Sequence, residues 1–131
     1  MTHRIIQPDG WLPAKGYSNG ILSRDGTLHI GGQIGWDANK NFVSDEFVGQ
    51  MKQALANIAD IVIAAGGQVS DVTRLTWFVT DKDDYLARQS EVGAAYREVF
   101  GKHFPAMSVV VVAGLIEDAA LVEIEATAHL S

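Results

Sequence analysis

The sequence predicts an α+β domain in which two helices pack on one face of a mixed sheet. One observation is the pair Asp25-Gly26, which separates two short apolar runs and is typical of a β-hairpin. A second is a pair of longer segments that repeat apolar residues at spacings of three and four, as amphipathic helices do. A third is the β-branched run that follows each helix. The predicted element order is therefore ββαβαββ.

Length and charge narrow the possible functions. The chain has 131 residues, and 10 basic against 16 acidic residues give a formal net charge of −6. This length suits a single domain, which we expect to span residues 1–131. A chain of this size can form a stable core without disulfide bonds. The acidic balance, without a clustered basic run, argues against nucleic acid or an anionic membrane as a partner. Because the chain lacks cysteine and an apolar leader, we expect a soluble cytoplasmic protein.

Turn-forming residues organise the N-terminal half. We expect an irregular arm around residues 8–16, then the hairpin over residues 21–30. Glycines within residues 31–35 predict a bulge or a close backbone approach at the end of the second strand. Ser44 is expected to cap the first helix, with two acidic residues in its first turn. This helix should end at Gly66-Gly67. Its apolar stripe comprises Phe47, Met51, Ala54, Leu55, Ile58, Ile61, Val62 and Ala65.

The C-terminal half alternates strands with one further helix. A strand is predicted over residues 71–79, with one face formed by Thr73, Leu75, Trp77 and Val79. A second helix should follow residues 81–84 and end at Gly101, with a stripe of Tyr85, Val92, Tyr96, Val99 and Phe100. Two strands complete the chain, near residues 108–112 and over residues 121–129, with a loop around residues 114–119.

The four valines of residues 109–112 pose a packing problem. They are apolar on both faces of their strand, as in a strand that is covered on both sides. Two helices cover only one face of a sheet of this size. A second copy of the protein is the simplest cover for the other face. We therefore predict an obligate oligomer.

Several common chemistries have no motif in this chain. The glycines of residues 31–35 lack the spacing of a dinucleotide fingerprint, and no phosphate-binding loop or nucleophile elbow occurs. The four histidines are dispersed, without a pair at metal-ligand spacing. We therefore expect neither a metal nor a cofactor.

Two glutamates on the last strand are candidate functional groups. Glu123 and Glu125 alternate with apolar residues, so they share one face, roughly 6–7 Å apart. A solvated outer face explains this pattern. Alternatively, the face lines a subunit cleft, where a partly buried carboxyl group with a raised pKa exchanges protons. Tyr17 and Gln33 are further polar candidates near strand ends, although each is equally consistent with packing.

Four segments together resemble the reactive intermediate deaminase (Rid) family, whose members are also named endoribonuclease L-PSP. They are the tyrosine-containing segment 15–20, the glycine-glutamine turn at 30–35, the helix with its terminator at 57–67, and the Phe-Pro-Ala segment 104–108 with the strand 122–126. The resemblance runs from Tyr17 to Ala128 in the family's order. It implies a chorismate-mutase-like subunit in a homotrimer, with a cleft between each pair of subunits that binds a small metabolite.

The family activity is hydrolysis of 2-enamine and 2-imine acids to 2-oxo acids and ammonia. The resemblance implies that Glu123 positions or activates water and that Tyr17 lines the cleft. The family's carboxylate-binding arginine is replaced by Met107, which carries no charge. Losing such a charged clamp costs on the order of 2–4 kcal/mol. By the same resemblance, Gly31, Gln33 and Val109 are expected to bind substrate together with Met107. Gly31 and Val109 also depart from the residues that are usual at their positions.

These departures leave alternatives open. Met107 could line a less polar cleft or fill the core, and Arg74 or Arg88 could supply the missing charge. Trp11 or Trp36 could add an aromatic wall. An arginine-lacking deaminase of weak or altered activity is our first hypothesis. A non-catalytic metabolite-binding or chaperone-like module is the alternative. Ribonuclease activity has little support in so acidic a chain.

Overall fold

The computed structural model describes residues 3–131. Residues 1 and 2, at the N-terminus where we expected no apolar leader, lie outside the described residues. The strands are β1 (His3–Ile6), β2 (Gly20–Ser23), β3 (Thr27–Gln33), β4 (Val72–Val79), β5 (Ala106–Val111) and β6 (Val122–His129). The helices are α1 (Phe47–Ala64), α2 (Lys82–Ala87) and α3 (Gln89–Phe100), with a short 3₁₀ turn over Val69–Asp71.

The six strands form one mixed sheet in the order β1-β2-β3-β6-β4-β5. Neighbouring strands run antiparallel except β4 and β5, which are parallel and are joined through α2 and α3. The two long helices, α1 and α3, lie side by side on one face of the sheet, called here the helix face. The opposite face is called the open face. The predicted α+β class with two main helices is confirmed.

A first strand, which was not predicted from the sequence, precedes the irregular arm of residues 8–16. His3–Ile6 pair antiparallel with β2, so the observed order begins with three strands rather than two. So short a run carries too little periodicity to be recognised as a strand. Tertiary contacts hold it in place, because Ile6 is buried and the guanidinium of Arg4 donates to the carbonyl of Ala65 at 3.4 Å. The predicted hairpin between β2 and β3 is confirmed, with Gly26 at φ +91°.

Two strand irregularities set which side chains reach each face. The predicted bulge near the glycines is confirmed, because the β3–β6 register shifts between Ile30 and Gln33. A second shift, between Val72 and Arg74, was not predicted. It buries Val72 and exposes Thr73, so the prediction that Thr73 shares the buried face of Leu75 is wrong. An extra residue in one strand reverses the alternation on one side of the bulge.

Both predicted helices begin or continue differently in the structure. α1 begins at Phe47 rather than directly after Ser44, because the Ser44 hydroxyl accepts the Glu46 N–H at 3.0 Å in a local turn. The predicted second helix is two helices, since Arg88 leaves the helical region at φ −116°, ψ 24°. This break lets α2 turn the ring of Tyr85 edge-on to Phe47 and Trp77, at centroid distances of 6.0 and 6.4 Å.

The core lies between the helix face and the two long helices. Burial of each large apolar side chain there contributes roughly 1.5–3 kcal/mol. Buried amides tie loops to this layer: Asn57 donates to the carbonyls of Ile34 and Trp36, and Gln50 donates to Ser44 and Ala119. The largest fully buried side chains include Leu28, Met51, Leu55, Ile58, Ile61, Leu75, Trp77 and Ile124.

The outer strand β5 is the least covered part of the sheet. Val110 and Val111, on opposite faces of the strand, are 43% and 51% exposed. The single chain therefore leaves the valine run partly exposed on both faces, although Val109 packs against the core, and cover by a second copy remains a prediction. Within residues 3–131 no helix is long and apolar enough to cross a membrane, and the acidic and histidine side chains form no cluster of three that could hold a metal ion.

Candidate functional site

A cleft of about 360 Å³ opens where β3 and β6 meet, and it is called here the carboxylate cleft. It contains three of the predicted site residues, Tyr17, Gln33 and Glu123. Glu123 projects from β6 on the open face, and Glu125 follows on the same face, as predicted. The remaining lining residues are Asn19, Gly32, Ile34, Trp36, Leu115, Ile116 and Glu117.

Gly32 determines where the Glu123 carboxyl group lies. A Cβ atom at position 32 would stand 2.5 Å from both Cδ and Oε2 of Glu123, a distance that real side chains do not adopt. The carboxyl group therefore rests directly on the backbone of β3, beside the bulge. Because glycine alone leaves this space, the glycine run that the sequence marked as a close approach serves to seat the glutamate.

The environment of Glu123 favours its protonated form. Burial raises the pKa of this carboxyl group, and the nearby charge of Glu125 raises it further. Among residues 3–131 the Glu123 side chain has no hydrogen-bond or ion-pair partner that would oppose this shift. A carboxyl group of raised pKa without a protein partner can exchange a proton with a bound water or substrate.

A buried amide chain supports the cleft from behind. Gln33 is 3% exposed, and its Nε2 donates to Asn19 Oδ1 at 3.1 Å and to the Gly31 carbonyl at 3.2 Å. Asn19 in turn donates from Nδ2 to Gln7 Oε1 at 3.0 Å. Gln33 therefore holds the bulged end of β3 rigid. Asn19 was missed by the sequence analysis, because a lone polar residue between turns has no periodic pattern.

Aromatic and apolar groups form the exposed walls of the cleft. Tyr17 is 52% exposed and stands on one wall. Trp36, rather than Trp11, lines the cleft, and its ring packs against Phe42. Ile116 is 96% exposed at the tip of the facing loop. So large an exposed apolar side chain is typical of a contact with another molecule.

Met107 lies in a different pocket, on the helix face. In the parallel register of β4 and β5 it pairs with Leu75, so both side chains point towards the helices. It is 48% exposed and lines a pocket of about 220 Å³ under α3, called here the helix-side pocket. Since Glu123 points to the open face, a single chain does not bring Met107 and Glu123 together. The pocket is lined by Trp77, Tyr85, Gln89, Val92, Gly93, Tyr96, Arg97, Phe104, Pro105 and Met107.

The remaining predicted site residues line neither cavity. Val109 pairs with Trp77 and packs against the core. Gly31 lies beside the carboxylate cleft, where its N–H donates to the Asn19 carbonyl at 2.9 Å. A larger groove of about 690 Å³ lies near the chain's C-terminus, between the β2–β3 turn and the loop after α1. None of the predicted site residues lines this groove, so its size has no bearing on the predicted chemistry.

Neither predicted substitute for the missing charge reaches the two cavities. Arg88 is paired with Asp84 at 2.8 Å and with Glu91 at 3.4 Å, and these partners raise its pKa. Arg74 lies on β4 in register with Ala106 and lines neither cavity. Arg97, which was not predicted from the sequence as a site residue, lines the helix-side pocket. Its one sequence cue is its position one residue after Tyr96 on α3.

The chain is a small α+β protein. Its mixed sheet carries two main helices on one face, and a half-buried glutamate lies against a glycine bulge on the other. Comparison with known proteins identifies the family. The family model for endoribonuclease L-PSP matches residues 9–130. The chain belongs to this endoribonuclease L-PSP family, also called the Rid family, as the sequence resemblance indicated.

Individual relatives agree with this assignment. A 2-iminobutanoate/2-iminopropanoate deaminase from Capra hircus is 38% identical over 130 residues, which cover 98% of this chain and 90% of the relative. Crystal structures of E. coli TdcF with bound serine and of RidA from Psychrobacter both superpose with a TM-score of 0.82. TdcF is 30% identical, covering 98% of this chain and 99% of that chain. RidA is 29% identical, covering 97% and 99%. The chorismate-mutase-like fold is thereby confirmed.

Proposed function

We propose that this protein is a deaminase that hydrolyses a 2-imino acid, or its 2-enamine tautomer, to a 2-oxo acid and ammonia. The observation that carries the proposal is Glu123, a half-buried carboxyl group of raised pKa with no protein partner, seated on Gly32 in an open cleft. Membership of a family that includes an imino-acid deaminase supports the same reaction.

The proposed reaction uses one water molecule and balances without a cofactor. In the protonated imine, Glu123 accepts a proton from water as the water oxygen bonds to the imine carbon. The second electron pair of the carbon–nitrogen double bond moves to nitrogen, which becomes a neutral amine. Glu123 then returns its proton to that nitrogen. The carbon–nitrogen bond breaks and ammonia leaves, while Glu123 takes the proton of the new hydroxyl group, whose carbon–oxygen bond becomes the carbonyl of the 2-oxo acid. That proton then passes to the released ammonia, and the carboxylate of Glu123 is regenerated. A raised pKa suits both transfers, because it brings the proton affinity of the carboxyl group closer to the working pH than that of an exposed glutamate.

We further propose that the complete site forms between copies of the chain in a homotrimer. Glu123 and Met107 project from opposite faces of one sheet, so residues from two copies are needed to surround one substrate. The exposed apolar groups support such contacts: Val111 on the uncovered strand, Ile116 beside the carboxylate cleft and Phe104 beside the helix-side pocket. Sedimentation of the folded chain as a monomer would contradict this arrangement.

The direct test measures ammonia release from freshly generated 2-iminobutanoate. Glu123→Gln keeps the size of the side chain and removes its proton transfer, so we expect kcat to fall by about 10²- to 10⁴-fold. Glu125→Gln is the matched control on the same face of β6, and it should retain activity within a few-fold. Equal activity in wild type and Glu123→Gln would remove Glu123 from the mechanism.

The same experiment addresses the non-catalytic alternative, which the uncharged Met107 favours because it cannot grip a carboxylate. Thermal stabilisation of the wild type by imino or oxo acids, without any ammonia release, would identify a metabolite-binding module instead of an enzyme.

A further inference from the structure

The helix-side pocket has the size and lining of an apolar binding site. Its space is about 220 Å³, and an engineered apolar cavity of about 150 Å³ in another protein accepts benzene. Apolar groups from α3 and from the start of β5 form most of its wall, including Val92, Phe104 and Met107. Met107 adapts its shape to such a ligand and adds no charge.

Trp77 lines this pocket and carries a buried hydrogen-bond donor that is unused. Trp77 is 1% exposed, and its indole Nε1 is the single buried side-chain polar atom without a partner within residues 3–131. The other deep polar group is occupied, because the Tyr96 hydroxyl donates to the His103 carbonyl at 2.6 Å. A buried N–H without an acceptor is unfavourable, so a ligand that supplies an acceptor atom would gain this bond.

A cation stands at the same pocket. Arg97 lies one turn after Gly93 on α3, and a Cβ atom added to Gly93 would come within 3.2 Å of its Nη1. The guanidinium therefore folds back over the helix surface that lines the pocket. Within residues 3–131 Arg97 makes no ion pair or side-chain hydrogen bond, whereas Arg88 on the same helical segment is paired twice.

We propose that Arg97 is the carboxylate anchor of this protein and that the helix-side pocket selects acids with a phenyl-sized side chain bearing a hydrogen-bond acceptor. The proposal rests on the proposed function, because the substrate's imine carbon must also reach Glu123 of a neighbouring copy. Arg97 binds the carboxylate at one end, since a guanidinium grips both oxygens. The apolar side chain fills the space beside Met107. Trp77 donates to the acceptor at the other end.

Binding of stable 2-oxo acids tests the anchor without requiring turnover. By titration calorimetry, phenylpyruvate should bind about tenfold or more tightly than pyruvate, because its ring leaves water for an apolar pocket. Arg97→Gln should weaken phenylpyruvate about tenfold or more, the loss expected for a charge-assisted bond. It should leave phenylacetone, which lacks the carboxylate, unchanged. Arg24→Gln, at an exposed arginine in the β2–β3 turn, is the charge-matched control and should change neither.

The Trp77 donor has its own test. Trp77→Phe keeps an aromatic ring and removes the N–H. We expect 4-hydroxyphenylpyruvate to bind the wild type more tightly than phenylpyruvate does, and this preference to disappear in Trp77→Phe. Retention of the preference in Trp77→Phe would overturn the role of the donor. Circular dichroism and the melting temperature confirm that each variant is folded.

The outcomes separate this proposal from the proposed function. The protein could turn over 2-iminobutanoate and yet show no preference for aromatic acids, or bind them equally well in Arg97→Gln. Either result would overturn the role of Arg97 as the anchor and leave the deaminase proposal standing. Arg97-dependent binding of aromatic acids without ammonia release from either an aliphatic or an aromatic imino acid would support the anchor and overturn the deaminase proposal.

Discussion

The carboxylate cleft and the helix-side pocket lie on opposite faces of one sheet and are built by opposite means. The cleft is held by backbone and amide hydrogen bonds through Gln33 and Asn19, and in the part of the chain that the structure describes the Glu123 carboxyl group has no partner. The pocket is held by apolar packing around Trp77, and among the described residues neither Arg97 nor the buried N–H of Trp77 has a side-chain partner. In each region other residues maintain the fold, so the groups proposed for chemistry or binding, namely Glu123, Arg97 and the Trp77 N–H, remain available. Neither region alone can both hold an acid and transfer a proton.

Gly32→Ala should break this arrangement most strongly. The added methyl group would overlap the Glu123 carboxyl group, which would then have to leave the cleft. Because a misplacement of about 1 Å can cost about 10²-fold in rate, we expect a loss of about a hundredfold in ammonia release, without unfolding. Activity within a few-fold of wild type would show that the position of Glu123 on β3 is unimportant.

Met107→Arg should change the ligand preference of the helix-side pocket. The new guanidinium would occupy the apolar space and offer a second anchor, so pyruvate should bind about tenfold more tightly, as expected for one charge-assisted bond. Phenylpyruvate should bind more weakly, because its ring loses space. Met107→Leu, which keeps the pocket apolar, is the control in the same titrations. Unchanged binding of both acids in Met107→Arg would place residue 107 outside the site.

Gly93→Ala provides the contrast with Gly32→Ala, because here the new methyl group meets only the flexible end of Arg97, at 3.2 Å. Alanine favours a helix over glycine by about 0.8–1 kcal/mol, so the free energy of unfolding should rise by nearly that amount. Urea denaturation measures the change. A loss of stability would mean that Arg97 cannot move aside.

The smallest expected effect concerns pH. Ionised Glu125 helps to raise the pKa of Glu123, so Glu125→Gln should lower that pKa and move the acid limb of the kcat/KM profile to lower pH. Burial still favours the protonated form in both proteins. If the acid limb of the kcat/KM profile does not shift in Glu125→Gln, solvent screens the effect of the Glu125 charge on the pKa of Glu123.

The same shift predicts a pH-dependent stability with a definite sign. The Glu123 pKa is higher in the folded chain than in the unfolded chain, so folding takes up a proton between the two values. The stabilising contribution is present below the unfolded pKa and is lost as pH rises through the folded pKa. Near neutral pH, Glu123→Gln should therefore melt at a higher temperature than wild type, even though we expect its kcat to be lower. Equal melting temperatures would contradict the shift.

Local patterns predicted the features that depend on nearby residues. The Asp25-Gly26 hairpin, the glycine bulge and the shared face of Glu123 and Glu125 all follow from backbone preferences or from a period of two. The break at Arg88 and the bulge at Thr73 were missed, because no glycine or proline stands at either position and the apolar period does not change there.

By itself, the sequence determined the fold class, the family and the position of Glu123, since periodicity and motif order are properties of the chain alone. Only the tertiary structure decided that Met107 and Glu123 lie on opposite faces, because the parallel register of β4 and β5 cannot be read from either strand alone. It also decided that Arg97, rather than Arg74 or Arg88, lies at the pocket. The ion pairs that occupy Arg88 are local, at spacings of four and three residues. The position of Arg97 depends instead on how α3 packs against the sheet, and no local pattern encodes that packing.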